Sequence, residues 1–224
     1  MLRGIVFDLD GVIVDSHPLH KRAWRTFLAE LDKEVSDTEL DFILEGRCRR
    51  EILVHFLGKL SESEIEQYGK KKDEFFRQAS ADLMPVTGSV ELIMNLVDAG
   101  IQLAVATSAS RQRTYWTLKQ LGIGNCFKVV VSGDEVEKGK PDPTIYRLAA
   151  EGLSQLPHSL LAVEDSISGI RAARSAGFLC LGIGLGTSDQ SMRKAGAEHV
   201  LPSLAGLSIA KLRTMYSGSI YGSE

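Results

Sequence analysis

Hydrophobic positions along the chain follow two patterns that predict different secondary structures. In the second part of the chain, short apolar runs alternate with segments whose apolar positions recur every three or four residues. The runs predict strands at 101–106, 129–132, 160–163 and 179–183, and the periodic segments predict helices at 89–99, 111–121, 143–153 and 167–176. A further apolar run predicts a first strand at 2–7. This alternation predicts an α/β fold, with a parallel sheet covered by helices on both faces.

The segment 15–84 has a different pattern, because it contains helical periodicity without a strand. Apolar residues near 19–31 are spaced by three and four, and similar blocks follow at 38–45, 49–59 and 62–80. Ser61 with Glu64 has the sequence of a capping box, which indicates a helix start. We therefore predict an all-helical insert at 15–84, a core formed by 1–14 and 85–216, and a small polar tail at 217–224.

Composition and charge exclude several classes of partner. The chain of 224 residues is 44% hydrophobic and 25% charged, with a net charge of -3, so nucleic acid and anionic membranes are not expected partners. It has no apolar run near the roughly 18 residues that span a bilayer and no signal-peptide pattern, so we expect a cytoplasmic protein. Cys48, Cys126 and Cys180 have neither disulfide nor metal-ligand spacing and are interpreted as small, ordinary side chains.

Polar residues follow the predicted strands at the points where open parallel sheets bind ligands. Asp8 and Asp10 follow the first strand, although buried carboxylates need a partner or a metal. The other strand ends carry Thr107-Ser108-Ala109-Ser110, Gly139-Lys140-Pro141-Asp142-Pro143 and Glu164-Asp165-Ser166. These sets suit a phosphate or a metal ion, whereas simple turn formation is the alternative for the two aspartates.

The converging carboxylates predict a metal site. Asp8 and Asp165, with Glu164 nearby, repel one another unless a cation lies between them, and hard oxygen ligands favour Mg²⁺. Glu164 has three possible roles: a direct ligand, a ligand through water, or a residue that orients another ligand. Lys140 is the candidate for a fixed cation that offsets the charge of an attacking carboxylate and a phosphoryl group, and an ordinary surface position is its alternative.

The remaining motifs predict phosphoryl transfer. The Ser108 hydroxyl and the Ala109 amide, at a strand end that enters a helix, can bind phosphate oxygens, although Ser108 could also be a plain helix N-cap. An aspartate beside a metal can be a nucleophile, and a second acid can serve as general acid and base. We therefore predict that Asp8 attacks and that Asp10 moves protons.

Taken together, the motifs resemble those of the haloacid dehalogenase-like superfamily. They are Asp8-Leu9-Asp10-Gly11-Val12, Thr107-Ser108, Lys140-Pro141-Asp142-Pro143 and Val163-Glu164-Asp165-Ser166, in this order. The resemblance implies a Rossmann-like core with the first strand between the second and the fourth, and a mobile helical cap at 15–84. It also implies that Asp8 forms an aspartyl-phosphate and binds Mg²⁺, and that Asp10 is the acid/base residue whose backbone carbonyl binds the metal. An aspartate as the second acid favours phosphoryl transfer over dehalogenation.

Within the superfamily, the cap resembles that of β-phosphoglucomutase and the related sugar-phosphate phosphatases. The resemblance of 15–24 to the first cap helix implies that His20 and Trp24 face the substrate. Further substrate contacts are implied for Gly46, Arg49 and Lys72 in the cap and for Ser110 in the core. The chain departs from the mutase pattern at Arg47, Cys48 and Arg50. These departures change the predicted selectivity.

Ordinary structural roles compete with these assignments. Trp24 at helical spacing is more simply explained as part of the cap core, and His17 and His20 as structural residues near a hinge. Charge runs on helices usually face water, which is the alternative for Arg47, Arg49, Arg50 and the lysines at 70–72.

The predicted function is a Mg²⁺-dependent phosphatase that hydrolyses a small phosphate monoester of a sugar-like metabolite. A phosphomutase with the same aspartyl-phosphate chemistry is the second hypothesis. A non-enzymatic domain with this fold is the third, and the intact set of Asp8, Asp10, Lys140 and Asp165 argues against it. The basic residues of the cap suggest a substrate with a second anionic group. We expect a monomer whose partner is a small phosphorylated metabolite.

Overall fold

The described residues of the protein form one six-stranded parallel sheet. The computed structural model describes residues 2–81, 83–184 and 189–221. The strands are β1 (Gly4–Phe7), β2 (Gln102–Ala106), β3 (Val129–Val131), β4 (Leu160–Glu164), β5 (Leu179–Ile183) and β6 (His199–Leu201). Their order is β3-β2-β1-β4-β5-β6, and all neighbours are parallel. The predicted α/β class is confirmed, and β1 lies between β2 and β4 as the family resemblance implies.

Strand β1 is covered on both faces, which explains its unbroken apolar sequence. All four of its residues are buried. Ile5 and Phe7 pack into the cluster on one face of the sheet, whereas Val6 packs into the cluster on the other. The sequence does not predict β6, because its three residues at the sheet edge are too few to show a period.

The cap is helical, as predicted. Its helices are α1 (His17–Ala29), α2 (Asp37–Leu40), α3 (Arg49–Leu57) and α4 (Glu62–Ala79), with a 3₁₀ helix at Asp41–Leu44. Ser61 and Glu64 form the expected capping box at the start of α4. The cap has an apolar core of its own, formed by Trp24, Phe27, Leu28, Leu40, Ile43, Ile52, Leu53 and Ile65. Trp24 packs in this core and also lines the cleft between cap and core, so its structural role does not exclude a contact with the substrate.

In the part of the chain that the structure describes, six helices cover the sheet. They are α5 (Ser89–Asp98), α6 (Arg111–Gln120), α7 (Thr144–Leu153), α8 (Ile167–Ser175), α9 (Asp189–Ala195) and α10 (Ile209–Tyr221). The sequence does not predict α9 and α10, and α10 extends as far as Tyr221, into the predicted tail at 217–224. Leu212 and Tyr216 are buried one turn apart and anchor α10, so its small polar residues continue a helix; 222–224 lie outside the described residues. Among the described residues, no helix is both long and apolar enough to cross a membrane.

The chain enters and leaves the cap through two adjacent segments. Val14 forms a bridge with Pro85, and the Asp15 amide donates to the Met84 carbonyl at 2.9 Å. Two neighbouring crossings are the arrangement that a hinge requires, although the division of the chain at 14/15 and 84/85 stays a prediction.

Candidate active site

The carboxyl ends of the central strands bring the predicted motifs together. Phe7 of β1 pairs with Val105 of β2 and Val163 of β4, so the residues after these strands are neighbours. One cleft between core and cap is lined by nearly all of the predicted site residues: Asp8, Asp10, His20, Gly46, Arg49, Lys72, Ser108, Ala109, Ser110, Lys140 and Asp165. Glu164 lies behind this surface and is fully buried.

Three carboxylates form a compact buried group at the end of β1. One oxygen from each of Asp8, Glu164 and Asp165 lies within 4.8 Å of the others. Nζ of Lys140 donates to Oδ1 of Asp8 at 2.6 Å, to Oε1 of Glu164, and to the Ala106 carbonyl at 3.1 Å. The surface interpretation of Lys140 is therefore wrong, because its side chain is 1% exposed.

Glu164 is satisfied by donors from the protein. Its Oε1 accepts from Lys140 and from the Tyr146 hydroxyl at 2.7 Å. Its Oε2 accepts from the Ser166 amide at 3.3 Å and from the Ser166 hydroxyl at 3.0 Å. Four donors match the lone-pair capacity of a carboxylate. Of the three roles left open by the sequence, this arrangement favours orientation of Lys140 over direct metal binding.

Burial is the main influence on the pKa values of Asp8 and Asp165. It raises the pKa of the Asp8 carboxyl well above its ordinary value; Lys140 opposes this rise, and the neighbouring Glu164 and Asp165 add to it. Burial also raises the pKa of Asp165, although His17, whose Nε2 lies 3.0 Å from Oδ2, opposes the shift. Closely spaced hard oxygen donors with insufficient positive charge around them fit a small divalent cation.

Asp10 is held by three side chains. Its Oδ1 accepts from Oγ of Ser16 at 2.6 Å and from Nη1 of Arg113 at 2.9 Å, and lies 3.1 Å from Nε2 of His20. Its Oδ2 accepts from Nη2 of Arg113 at 2.6 Å. Burial opposes the charged form, but Arg113 and His20 hold the pKa of Asp10 well below its ordinary value.

His20 and Lys72 form a buried pair behind Asp10. Nζ of Lys72 lies 3.2 Å from Nδ1 of His20, and an ammonium group can only donate, so the hydrogen on Nε2 points at Asp10. Burial, with the charge of Lys72, lowers the pKa of His20 to about 3. Burial also lowers the pKa of Lys72 to about 8. The solvated-face interpretation is therefore wrong for Lys72, whereas Lys70 and Lys71 are exposed.

The neutral, buried His20 predicts a pH-dependent stability. Its folded-state pKa of about 3 lies below the ordinary value of 6.5, so the unfolded chain takes up a proton first as the pH falls. The contribution of His20 is complete above about pH 6.5 and decreases toward lower pH by up to about 1.4 kcal/mol per pH unit. We expect the free energy of unfolding in urea to fall less steeply between about pH 7 and pH 5 in His20→Gln than in the wild type. His158→Gln, at an exposed histidine, is the control, and equal slopes in all three proteins would contradict the prediction.

The motif after β2 lines the cleft, and its polar groups form hydrogen bonds with other groups of the protein. Oγ of Ser108 donates to the Gly46 carbonyl at 2.6 Å, which joins core and cap. The Ala109 amide donates to Oγ1 of Thr107 at 3.1 Å. Any phosphate bound by Ser108 would therefore compete with the Gly46 contact.

The cap loop at 45–47 lies directly against the core. Gly46 has a φ of +75°, and a Cβ there would lie 2.5 Å from Oγ of Ser168. Ser168 also donates to the Glu45 carbonyl. Only glycine permits both this conformation and this close approach. Arg47 pairs with Glu45 at 3.0 Å.

Ser110 and Arg49 meet at the other side of the cleft. Ser110 is the N-cap of α6, so the N-cap interpretation of Ser108 is wrong. Oγ of Ser110 donates to Asp73 at 2.5 Å. Arg49, which is half-buried, pairs with Asp134 of the core at 2.5 Å and lies 3.8 Å from Asp73. Arg49 and Asp134 thus form a second link between cap and core.

Arg113 is a site residue that the sequence motifs do not predict. Helix α6 has Arg111 and Arg113 in its first turn and no acid there. Cations are unfavourable at a helix N-terminus, so an arginine that is buried there needs a carboxylate partner from another part of the chain. The two arginines in the first turn of α6 were therefore the available sequence signal.

His17 has a more direct place than the sequence predicts, since its ring contacts Asp165. The contact depends on Gly11, where φ is +76° and a Cβ would lie 1.9 Å from Oδ2 of Asp165. Of the cysteines, all free, Cys48 and Cys180 are buried and Cys126 is half-buried.

Buried acids and a buried lysine lie at the carboxyl ends of the parallel strands, beneath a helical insert. This arrangement is typical of a class of α/β enzymes whose reaction centre lies between core and cap. Residues 5–183 match the model of the haloacid dehalogenase-like hydrolases. The chain belongs to this family, as the motif resemblance predicts.

The chain is similar to named relatives over most of its length. It is 33% identical, over 79% of the chain and 82% of the relative, to the phosphorylated carbohydrates phosphatase of Thermotoga maritima. It is 30% identical to the β-phosphoglucomutase of Bacillus subtilis, over 94% of each protein. Its structure matches CbbY from Rhodobacter sphaeroides in complex with phosphate with a TM-score of 0.85 and 32% identity, covering 95% of this chain and 100% of CbbY.

Proposed function

We propose that this protein is a Mg²⁺-dependent phosphatase that hydrolyses a small sugar phosphate through an aspartyl-phosphate on Asp8. The observation that carries the proposal is the buried group at the end of β1, where Lys140 lies 2.6 Å from Asp8 and Asp165 is adjacent. This group supplies a nucleophile in Asp8, a further carboxylate in Asp165 and a fixed cation in Lys140. The similarity to a carbohydrate-phosphate phosphatase supports the substrate class.

The acids also support the choice of metal. Asp8, Asp165 and the backbone carbonyl of Asp10 would hold Mg²⁺, which when bound neutralises charge on the phosphoryl oxygens. Glu164 keeps its role of orienting Lys140.

The reaction proceeds in two steps. In the first, an Asp8 oxygen attacks phosphorus, the bond to the sugar oxygen breaks, and Asp10 passes a proton to that oxygen, although Arg113 and His20 favour the ionised form of Asp10 in the closed, substrate-free arrangement. In the second, Asp10 takes a proton from water, the water oxygen attacks phosphorus, and the bond to Asp8 breaks to release inorganic phosphate. Lys140, fixed by Glu164 and the Ala106 carbonyl, offsets negative charge in both steps.

Substrate entry requires the cap to move. The free volume within the cleft measures about 80 Å³, which is room for several water molecules. The contacts of Gly46 with Ser108 and of Arg49 with Asp134 hold this closed arrangement. Opening breaks these contacts, and closure around the substrate excludes bulk water.

A phosphomutase is the second candidate, because three cations line the cleft around Asp10. Arg49, Lys72 and Arg113 are paired with Asp134, Asp73 and Asp10, respectively. A second anionic group on the substrate would suit such cations if it replaced one of these carboxylate partners. The similarity to a β-phosphoglucomutase supports the same alternative.

Product analysis decides between the two candidates. We expect the purified protein with Mg²⁺ to release inorganic phosphate from members of a panel of sugar phosphates, and chelation by EDTA to stop the release. β-Glucose 1-phosphate with a bisphosphate primer is then followed by ³¹P NMR. Glucose 6-phosphate without matching free phosphate would establish the mutase in place of the phosphatase, and no turnover of any ester would refute both.

A further inference from the structure

Arg113 binds the acid/base residue with a complete guanidinium fork. Its two terminal nitrogens donate to the two oxygens of Asp10, at 2.9 and 2.6 Å. The Arg113 side chain is 4% exposed, and its guanidinium carbon lies 4.8 Å from the centre of the Phe76 ring. The His20 ring lies against the same Phe76 ring, at 4.6 Å between centroids. One aromatic ring of the cap therefore supports two of the donors that fix Asp10.

The two oxygens of Asp10 are held unequally. Among the described residues, Oδ1 is contacted by Ser16, His20 and Arg113, whereas Oδ2 accepts from Arg113 alone. A carboxylate oxygen has two lone pairs, so Oδ1 is saturated and Oδ2 keeps one free position. Because the fork is planar, it also fixes the rotation of the carboxylate about its own axis.

We propose that Arg113 is a positioning residue for Asp10, which orients the carboxylate so that Oδ2 exchanges the proton with the substrate oxygen. The inference rests on the proposed phosphatase function and concerns the leaving-group step. In that step the proton leaves Oδ2 as the bond between phosphorus and the sugar oxygen breaks, and Arg113 keeps Oδ2 aimed at that oxygen. Arg113 acts through Asp10 and makes no bond to the reacting atoms.

The leaving group of the ester separates this role from a structural one. Nitrophenolate leaves phosphorus without a proton, whereas a sugar alkoxide needs one from the general acid. The value of kcat/KM reports the steps up to departure of the leaving group. A misplaced Asp10 therefore slows sugar phosphate turnover selectively, whereas a distorted site slows both esters.

The test compares two Arg113 variants on the two esters. Arg113→Lys keeps the charge but lacks the fork, and Arg113→Gln lacks both. In each, we expect kcat/KM for the best sugar phosphate to fall about 100-fold and that for p-nitrophenyl phosphate to fall less than about 5-fold. Arg111→Gln, two residues earlier and exposed, is the matched control and should leave both values unchanged.

Equal losses on the two esters, or no loss on the sugar phosphate, would overturn the inference. Failure of both Arg113 variants to fold, judged by thermal melting, would also overturn it, because Arg113 would then be a structural residue. Absence of phosphate release from both esters by the wild type would refute the proposed function itself, and the inference with it.

Discussion

Asp8→Asn is expected to abolish turnover, lowering kcat on p-nitrophenyl phosphate and on any sugar phosphate substrate by about 10⁴-fold or more. An amide cannot form the acyl-phosphate that the proposed mechanism requires. The substitution preserves the size of the side chain, so the loss reports chemistry and not packing. Phosphate release by the purified variant measures it, with Asp98→Asn, the same change at an exposed position, as the control.

The same variant should fold at least as stably as the wild type when divalent cations are absent. Asp8 is one of three acids within 4.8 Å of one another, and its neighbours Glu164 and Asp165 raise its pKa. Removal of one charge relieves this repulsion, while Lys140 keeps its bond to Glu164. Urea unfolding in EDTA should therefore give an equal or larger free energy of unfolding. Loss of activity with retained stability is the signature of a site selected for reaction and not for stability.

Mass spectrometry of acid-quenched enzyme gives an independent check of the nucleophile. Wild-type protein mixed with substrate should carry a phosphoryl group on the peptide that contains Asp8, and Asp8→Asn should carry none. A variant that retains wild-type turnover, or a phosphoryl group found on Asp165, would contradict the assignment of Asp8.

The sheet could be predicted because the strands that carry the site consist mainly of apolar residues. Five strands are confirmed, since the alternation of apolar runs with helical segments predicts them, and the central position of β1, which the family resemblance implies, is confirmed as well. Strand β6 and helix α9 were missed because elements of three and seven residues show little periodicity. Helix α10 was instead interpreted in part as a tail, since its last residues are small and polar and its anchoring residues lie earlier.

Only those site residues that lie beyond the end of a strand could be predicted from the strand pattern. Asp8, Lys140 and Asp165 meet because parallel strands place their carboxyl ends on one edge. Arg113 could not be found in this way, because periodicity assigns a residue to a helix face and not to a partner 103 positions earlier. Lys72 was misjudged as solvated for the same reason, since adjacent lysines of one helix differ in exposure only once the helix is packed. Tertiary contacts decide which of these charged side chains are buried.

Lys140→Met is expected to destabilise the protein strongly, by about 3–5 kcal/mol in the absence of divalent cations. Methionine fills a similar volume without charge, so the variant leaves Asp8 and Glu164 buried without their shared partner. Burial disfavours the charged form of Lys140, but the carboxylates of Asp8 and Glu164 raise its pKa above the ordinary value, so the lysine is charged at neutral pH. Urea unfolding at neutral pH in EDTA measures the loss, and Lys138→Met, at an exposed lysine two residues away, is the control.

Added Mg²⁺ should restore more stability to Lys140→Met than to the wild type. A ligand that binds only the folded state stabilises it according to its affinity, and three carboxylates without a lysine attract a divalent cation more strongly than three with one. The difference in unfolding free energy between the two proteins should therefore shrink as Mg²⁺ is raised, although the variant should stay inactive because its fixed cation is gone. Destabilisation below about 1 kcal/mol would contradict the role of Lys140 as the counter-charge. An equal gain from Mg²⁺ in both proteins would instead place the cation away from Asp8 and Asp165.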